Sequence, residues 1–276
     1  MSPVYTPEFL IAFAAGLLVT GAIAGVLAGL LGVGGGIVIV PVLFWLAGFL
    51  GLSPDIAMPM AVGTSLATII PTSISSARSH HRRGGVDTNL LKAWSPGIFV
   101  GALAGGALAS YVSGTFLTAL FGVIALLVSV NLAIPKDLVV AERLPEGMAS
   151  RVSIPTGIGL FSSLMGIGGG TLSVPTLTAF SFPVHRAIGT ASAFGLVIAV
   201  PAVVGFVWAG WGAPSRPPLS LGYVSVPAAI LIFTLSVLTA PYGSALAHRL
   251  DAKPLKRVFA AFLFVTSLRM LWQVAI

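Results

Sequence analysis

The chain has 276 residues, of which 57% are hydrophobic and only 8% charged, and its formal net charge is +7. A soluble domain is about one-quarter charged, so this chain cannot coat a water-facing surface and its solvent is lipid. Basic residues of membrane proteins gather in cytoplasmic loops. No basic–aromatic stretch here is long enough to fold in water as a nucleic-acid module, so nucleic acid is excluded as a partner. The absence of cysteine excludes disulfides, thiolate chemistry and Cys-ligated metals.

At about 20 apolar residues per helical crossing, this length accommodates about eight to ten segments. The apolar pattern resolves ten. Lipid offers no hydrogen bonds to an open sheet edge, and the alternation of a barrel strand is missing, so the segments are predicted helices. The opening MSPVYTPEF lacks the basic region of a signal peptide, so the first segment, 9–31, is expected to stay in the fold. It runs into Gly32-Val33-Gly34-Gly35-Gly36. The second segment, 37–52, carries Trp45 deep enough to line a cavity. The third, 57–77, carries Thr64, Ser65, Thr68 and Pro71. The loop 78–92, containing SHHRRGG, is the densest basic stretch, and segments 91–112 and 116–134 follow.

A linker, 135–151, holds six of the 21 charged residues (14 Lys and Arg plus 7 Asp and Glu) and is expected to be an exposed loop with some amphipathic helix. Segments 152–165 and 171–182 flank Gly166-Ile167-Gly168-Gly169-Gly170. Segment 187–208 opens at His185-Arg186, an expected cytoplasmic anchor or gate, and carries Thr190, Ser192 and Pro201. Segment 221–247 is interrupted by Pro241-Tyr242-Gly243-Ser244, a candidate hinge. Segment 255–274 holds Arg269, which would snorkel to the outer interface or draw anions to an outer vestibule.

The chain is internally repeated. GLLGVGGGIVIVPVL from Gly29 returns as SLMGIGGGTLSVPTL from Ser163, with eight of fifteen positions identical at an offset of 134. Ala61-Val62-Gly63-Thr64 matches Ala187-Ile188-Gly189-Thr190, and GGALASYVSGTFLTALFGV from Gly105 aligns with GSALAHRLDAKPLKRVFAA from Gly243 at an offset of 138. The expected organisation is a first membrane repeat over 1–134, a cytoplasmic linker over 135–151 and a second repeat over 152–276. Five segments per copy is an odd number, so the copies face opposite ways. This all-α polytopic architecture with two five-segment inverted-topology repeats is that of many secondary transporters.

Placing the loop 78–92 in the cytoplasm puts 12 of the 14 Lys and Arg residues on that side, leaving Arg216 and Arg269 outside together with both termini. The first two segments of each repeat either cross fully or form a hairpin that enters and leaves by one face. The 14 and 12 residues of segments 152–165 and 171–182 are short for crossings and favour hairpins whose glycine tips meet near the midplane inside six full spans. The longer segment 9–31 could cross alone.

Three consecutive glycines inside a helix cost about 1 kcal/mol each relative to alanine, so the glycine runs are predicted turns. Irregular backbone at membrane depth is tolerated where it is buried in protein or lines a wet cavity. The helix after each turn begins with unpaired N–H groups and a positive dipole end, which an anion can approach closely. Gly34, Gly35, Gly36, Gly168, Gly169 and Gly170 are therefore candidate backbone donors, and Thr64, Ser65, Thr190 and Ser192 candidate hydroxyl donors, for a substrate. Close helix packing through small residues is the competing use. A dinucleotide GxGxxG fails in detail, because Ile37 and Thr171 stand where its third glycine belongs.

No Asp or Glu lies inside any segment. That disfavours a carboxylate proton relay or cation site and suits an anionic substrate. Without embedded Asp, Glu, His or Cys, an intramembrane enzyme has almost no acid, base or ligand, so neither catalysis nor a cofactor is expected. The histidines have no ligand-like spacing, so no metal is expected.

At the repeated GxGGG-x4-P motif the chain resembles the TauE/SafE family of membrane anion exporters. The matching stretches are GLLGVGGGIVIVP with AVGTSLATIIP, SLMGIGGGTLSVP with AIGTASAFG, and the tail LKRVFAAFLFVTSLRML. The resemblance implies a transporter of the bacterial inner membrane that exports sulfite, organosulfonates or related small anions. An anion channel for the same substrates is the alternative.

Overall fold

This computed structural model describes residues 6–134, 139–142, 144, 147–214, 216–247 and 253–275. Lys136, Arg143 and Arg249, all expected on the cytoplasmic side, lie outside the described residues, as do the side chains of Lys253 and Lys256, residues 1–5 and Ile276. The ten helices are α1 (Pro7–Leu31), α2 (Gly36–Phe49), α3 (Pro54–Arg82), α4 (Thr88–Leu108), α5 (Gly114–Ala133), α6 (Met148–Met165), α7 (Gly170–Ala179), α8 (Val184–Ala209), α9 (Val226–Ala247) and α10 (Lys253–Ala275). Two antiparallel two-residue strands, β1 (Ser220–Leu221) and β2 (Val224–Ser225), join α8 to α9.

Caps mark several helix starts. The Thr6 and Ser113 hydroxyls accept from Phe9 and Phe116 N–H, and Asp87 Oδ1 accepts from Asn89 and Leu90 N–H at 3.0 and 2.9 Å. Two boundaries depart from the sequence expectation. The basic stretch 78–82 is the last turn of α3 rather than a loop. Cations are favoured at a helix C-terminus, and Arg83 folds back to donate to the Ser79 carbonyl at 2.9 Å. Pro241 lies within an unbroken α9, and the strand turn before α9 replaces the first residues of the expected ninth segment.

By length and apolarity six helices can cross a bilayer: α1, α3, α5, α8, α9 and Arg257–Ala275 of α10. The chain is an all-α polytopic membrane protein. α4 has 21 residues but falls outside this group; Lys92, Pro96 and its glycines dilute its apolarity. α1 falls inside it, yet with α2 it forms a hairpin. Phe9 near the start of α1 and Leu46 and Leu50 at the end of α2 line one cavity, so both ends of the pair lie together. The pair α6–α7 enters from the other end. Thr178 near the end of α7 lines a cavity with Ile134, Val184 and Arg257, and the Ala179 carbonyl that ends α7 accepts from Val140 and Ala141 N–H of the linker.

Helix contacts come in exchanged pairs. α1 packs on α9 as α6 packs on α4, α2 on α3 as α7 on α8, and α3 on α9 as α8 on α4, while α3 meets α8 and α5 meets α10. The correspondence reaches single residues. A Cβ at Gly25 would overlap the Ser236 carbonyl, and one at its repeat equivalent Gly159 would overlap the carbonyl of Ile98, the equivalent of Ser236. Such close backbone approach is how helices associate where lipid supplies no hydrophobic drive. α3 is central, 78% buried over its apolar window against 33% for α1, α9 and α10.

The described basic residues other than Arg216 and Arg269 collect at one end. Arg186 at the start of α8 pairs with Asp87 before α4 at 2.7 Å, Arg83 reaches Ser244 near the end of α9 at 3.4 Å, and Arg257 lines a cavity with Ile134 and Val184. The opposite end holds Asp55, whose carboxylate accepts from Gly114 N–H at 3.0 Å, and also Arg216 and Arg269. In the strand turn there, burial pushes the Tyr223 phenol up; Arg216 pulls it down and Asp55 adds to the rise.

Gly25→Leu and Gly159→Leu should each lower the thermal unfolding midpoint in detergent, an overpacking cost of about 1–3 kcal/mol or more. Gly16→Leu, where a side chain meets open space, should leave it unchanged or raise it.

Candidate functional site

The two glycine elbows touch. Elbow one, between α1 and α2, turns through Gly32 (φ +70°), Gly34 (φ +70°) and Gly35 (φ +80°); elbow two, between α6 and α7, turns at Gly166 (φ +68°). Left-handed backbone costs an L-residue about 1–2 kcal/mol. A Cβ on Gly34 would also stand 3.0 Å from the Gly168 Cα. Gly168 N–H donates to the Val33 carbonyl at 3.2 Å and joins the elbows directly. The exchange symmetry continues here: Gly36 abuts the Gly166 carbonyl as Gly170 abuts that of Gly32. Gly35 packs on Ala24 of α1, and Gly169 on Ala191 and Phe194 of α8.

Among the four candidate hydroxyls, all buried, the structure brings only Ser65 into the elbow contact. Its Oγ donates to the Gly166 carbonyl at 2.7 Å and holds elbow two. Thr64 accepts from Ser225 N–H of β2 at 2.9 Å, and Thr190 accepts from Asp87 N–H at 2.8 Å, so these equivalents are engaged with the two chain connections on opposite sides of the elbows. Ser192 donates to the Ile188 carbonyl at 3.0 Å and accepts from Ser76 at 3.1 Å.

With the tips in contact, open space lies beside them. A cavity of about 420 Å³ at the basic end reaches Val33 of elbow one and Gly170 and Thr171 of elbow two, passes Asn131 of α5, and has exposed Arg257 on its wall. A second, of about 550 Å³, lies at the opposite end between α2 and α10. There the Arg269 guanidinium sits 4.7 Å from the Trp45 ring centroid, a cation–π contact, beside Trp272 and Phe49. Arg257 and Arg269 are about 18 Å apart along α10. A third cavity, of about 490 Å³, is almost wholly apolar. No Asp or Glu lines any of the three, and among the described residues no group of three His, Asp or Glu could hold a metal.

The sequence offers Trp45 as a cavity lining and Arg269 as a cation at the outer interface or in an outer vestibule, but it does not single out Asn131, Thr171 and Arg257. One signal for Thr171 was available: a hydroxyl residue stands where the other repeat has Ile37.

A family model described as "Sulfite exporter TauE/SafE" matches residues 17–270. The chain belongs to the TauE/SafE family. It is 37% identical over 257 residues to a "probable membrane transporter protein" of Haemophilus influenzae, covering 92% of this chain and 96% of that protein. It is 24% identical over 262 residues to one of Methanocaldococcus jannaschii, at 92% and 94% coverage. Against one of Bacillus subtilis it is 31% identical over 199 residues, 63% of this chain and 71% of that one. No solved structure matches. The family match spans both elbows and every residue named at the two polar cavities except Trp272.

Gly34→Ala should destabilise this TauE/SafE chain more than the 1–2 kcal/mol or so of left-handed strain alone, because its methyl also presses on Gly168. Thermal melts of Gly34→Ala beside Gly84→Ala, left-handed at φ +70° but in open space, separate the two contributions.

Proposed function

We propose that this TauE/SafE member is a secondary transporter that exports sulfite or a related small sulfur oxyanion or organosulfonate across a bacterial inner membrane by alternating access. The observation that carries the reading is the pair of cavities on either side of touching elbows. Under the repeat exchange that swaps α2 for α7 and α5 for α10, the cavity by α7, α5 and α10 corresponds to the one by α2 and α10. The two differ in depth: one reaches Val33 and Gly170, the other stops at Phe44 to Phe49. Equivalent cavities of unequal depth are what an inverted repeat gives when one side is open and its counterpart is shut. The basic end is cytoplasmic by the positive-inside rule, which puts both termini in the periplasm and makes this the inward-facing arrangement.

The absence of carboxylates along the cavities favours an anion, and the name of the family model supplies the sulfur oxyanion class. A channel needs a continuous wet path, and the Gly168 to Val33 hydrogen bond lies across it.

In proteoliposomes, sulfite flux should saturate and show counterflow. Gly35→Leu, whose side chain would drive into Ala24, should abolish it. Non-saturating flux without counterflow would indicate the channel, and unchanged flux in Gly35→Leu would remove the elbows from the mechanism. Orientation has its own check, helped by the lack of native cysteine. In intact cells an impermeant maleimide should label Gly51→Cys and spare Gly84→Cys.

A further inference from the structure

The two elbows are alike in backbone and unlike in polarity. Thr171, in the first turn of α7, is 2% exposed and its Oγ1 has no hydrogen-bond partner among the described residues. The same holds for Ser162 in the last turns of α6 and Ser173 in α7. Their equivalents around elbow one, at an offset of 134, are Ile37, Ala28 and Ile39. A buried hydroxyl without a partner is costly, so each one in a native protein calls for an explanation. Three cluster at one elbow and none at its counterpart.

Thr171 faces an explanation, because it lines the 420 Å³ cavity together with Gly170. The first-turn N–H groups of α7, a helix of ten residues, have no intrahelical acceptor and carry the positive end of its dipole. Asn131 of α5 offers an amide donor on the same lining, and Arg257 supplies a positive charge with no carboxylate on the lining to neutralise it.

We infer that the anion binds at elbow two alone, at the N-terminus of α7 with Thr171 Oγ1 as a direct donor, and not symmetrically between the two tips. The inference rests on the transporter reading and narrows its site. The ligand class is a small tetrahedral or pyramidal oxyanion, which has several acceptor oxygens to share among the amides, Thr171 and Asn131. Elbow one acts as the wall: it lends the cavity only apolar side chains, Leu31 and Val33, and its Ile37, where elbow two has Thr171, has no hydroxyl to offer.

Isothermal titration of purified protein with sulfite, sulfate, methanesulfonate and phosphate tests this. Thr171→Val is isosteric and removes an unpaired hydroxyl, so the unfolding midpoint should hold or rise. Affinity for the bound anion should fall about tenfold or more, the scale of one hydrogen bond to a charged group. Thr171→Ser should recover most of it, and Ile37→Val should leave it unchanged. Binding by wild type that Thr171→Val does not weaken overturns this site and leaves the transporter reading standing. An equal loss in Ile37→Val also overturns it, in favour of a site shared by both elbows. Failure of wild type to bind any of the four anions overturns the parent reading and the site with it.

Discussion

The molecule is organised around one backbone contact, Gly168 N–H on the Val33 carbonyl, with Gly34 and Gly168 pressed together beside it. Two hairpins driven in from opposite ends can meet this closely only if the residues in contact, Gly34, Gly36, Gly168 and Gly170, carry no side chain. A single methyl at Gly34, Gly36, Gly168 or Gly170 would stand 3.0 Å or less from the facing elbow. The surrounding helices then take their places by exchange: α1 leans on α9 and α6 on α4 because each hairpin's long arm packs against the fourth helix of the other half. Polar groups elsewhere in the core serve the same end. Ser65 holds the Gly166 carbonyl, and Thr72 meets Ser236, so α3 is pinned to elbow two and to α9.

Much of this was legible in the residues. Triple glycines at a constant offset fixed where the chain must bend, and the shortness of segments 152–165 and 171–182 pointed to hairpins. Segment 9–31 argued the other way because length cannot show that a helix turns back. Only its partner, α2, returning to Phe9 reveals it. The SHHRR stretch read as loop because charge signals exposure, yet a helix C-terminus at the bilayer edge accommodates cations well. Pro241 interrupts the apolar run without ending the helix, because α9 continues through it from Val226 to Ala247.

The candidate site was legible in part, and for a physical reason. Glycines announce themselves because their backbone needs are unusual. Hydroxyls do not, because Ser and Thr in a membrane helix satisfy themselves locally, as Thr72 does on the Thr68 carbonyl and Ser192 on that of Ile188. Thr64 and Thr190 kept their repeat equivalence, but each fastens a connecting segment. Thr171, Asn131 and Arg257 come from three different helices, and no spacing in the chain links them.

The hairpins also aim α2 and α7 head-on, so the positive ends of both short helices converge on the same few ångströms of backbone. A sodium ion or hydronium arriving there meets two like-signed fields and no carboxylate to offset them. The meeting of the two helix N-termini is thus unfavourable ground for a cation.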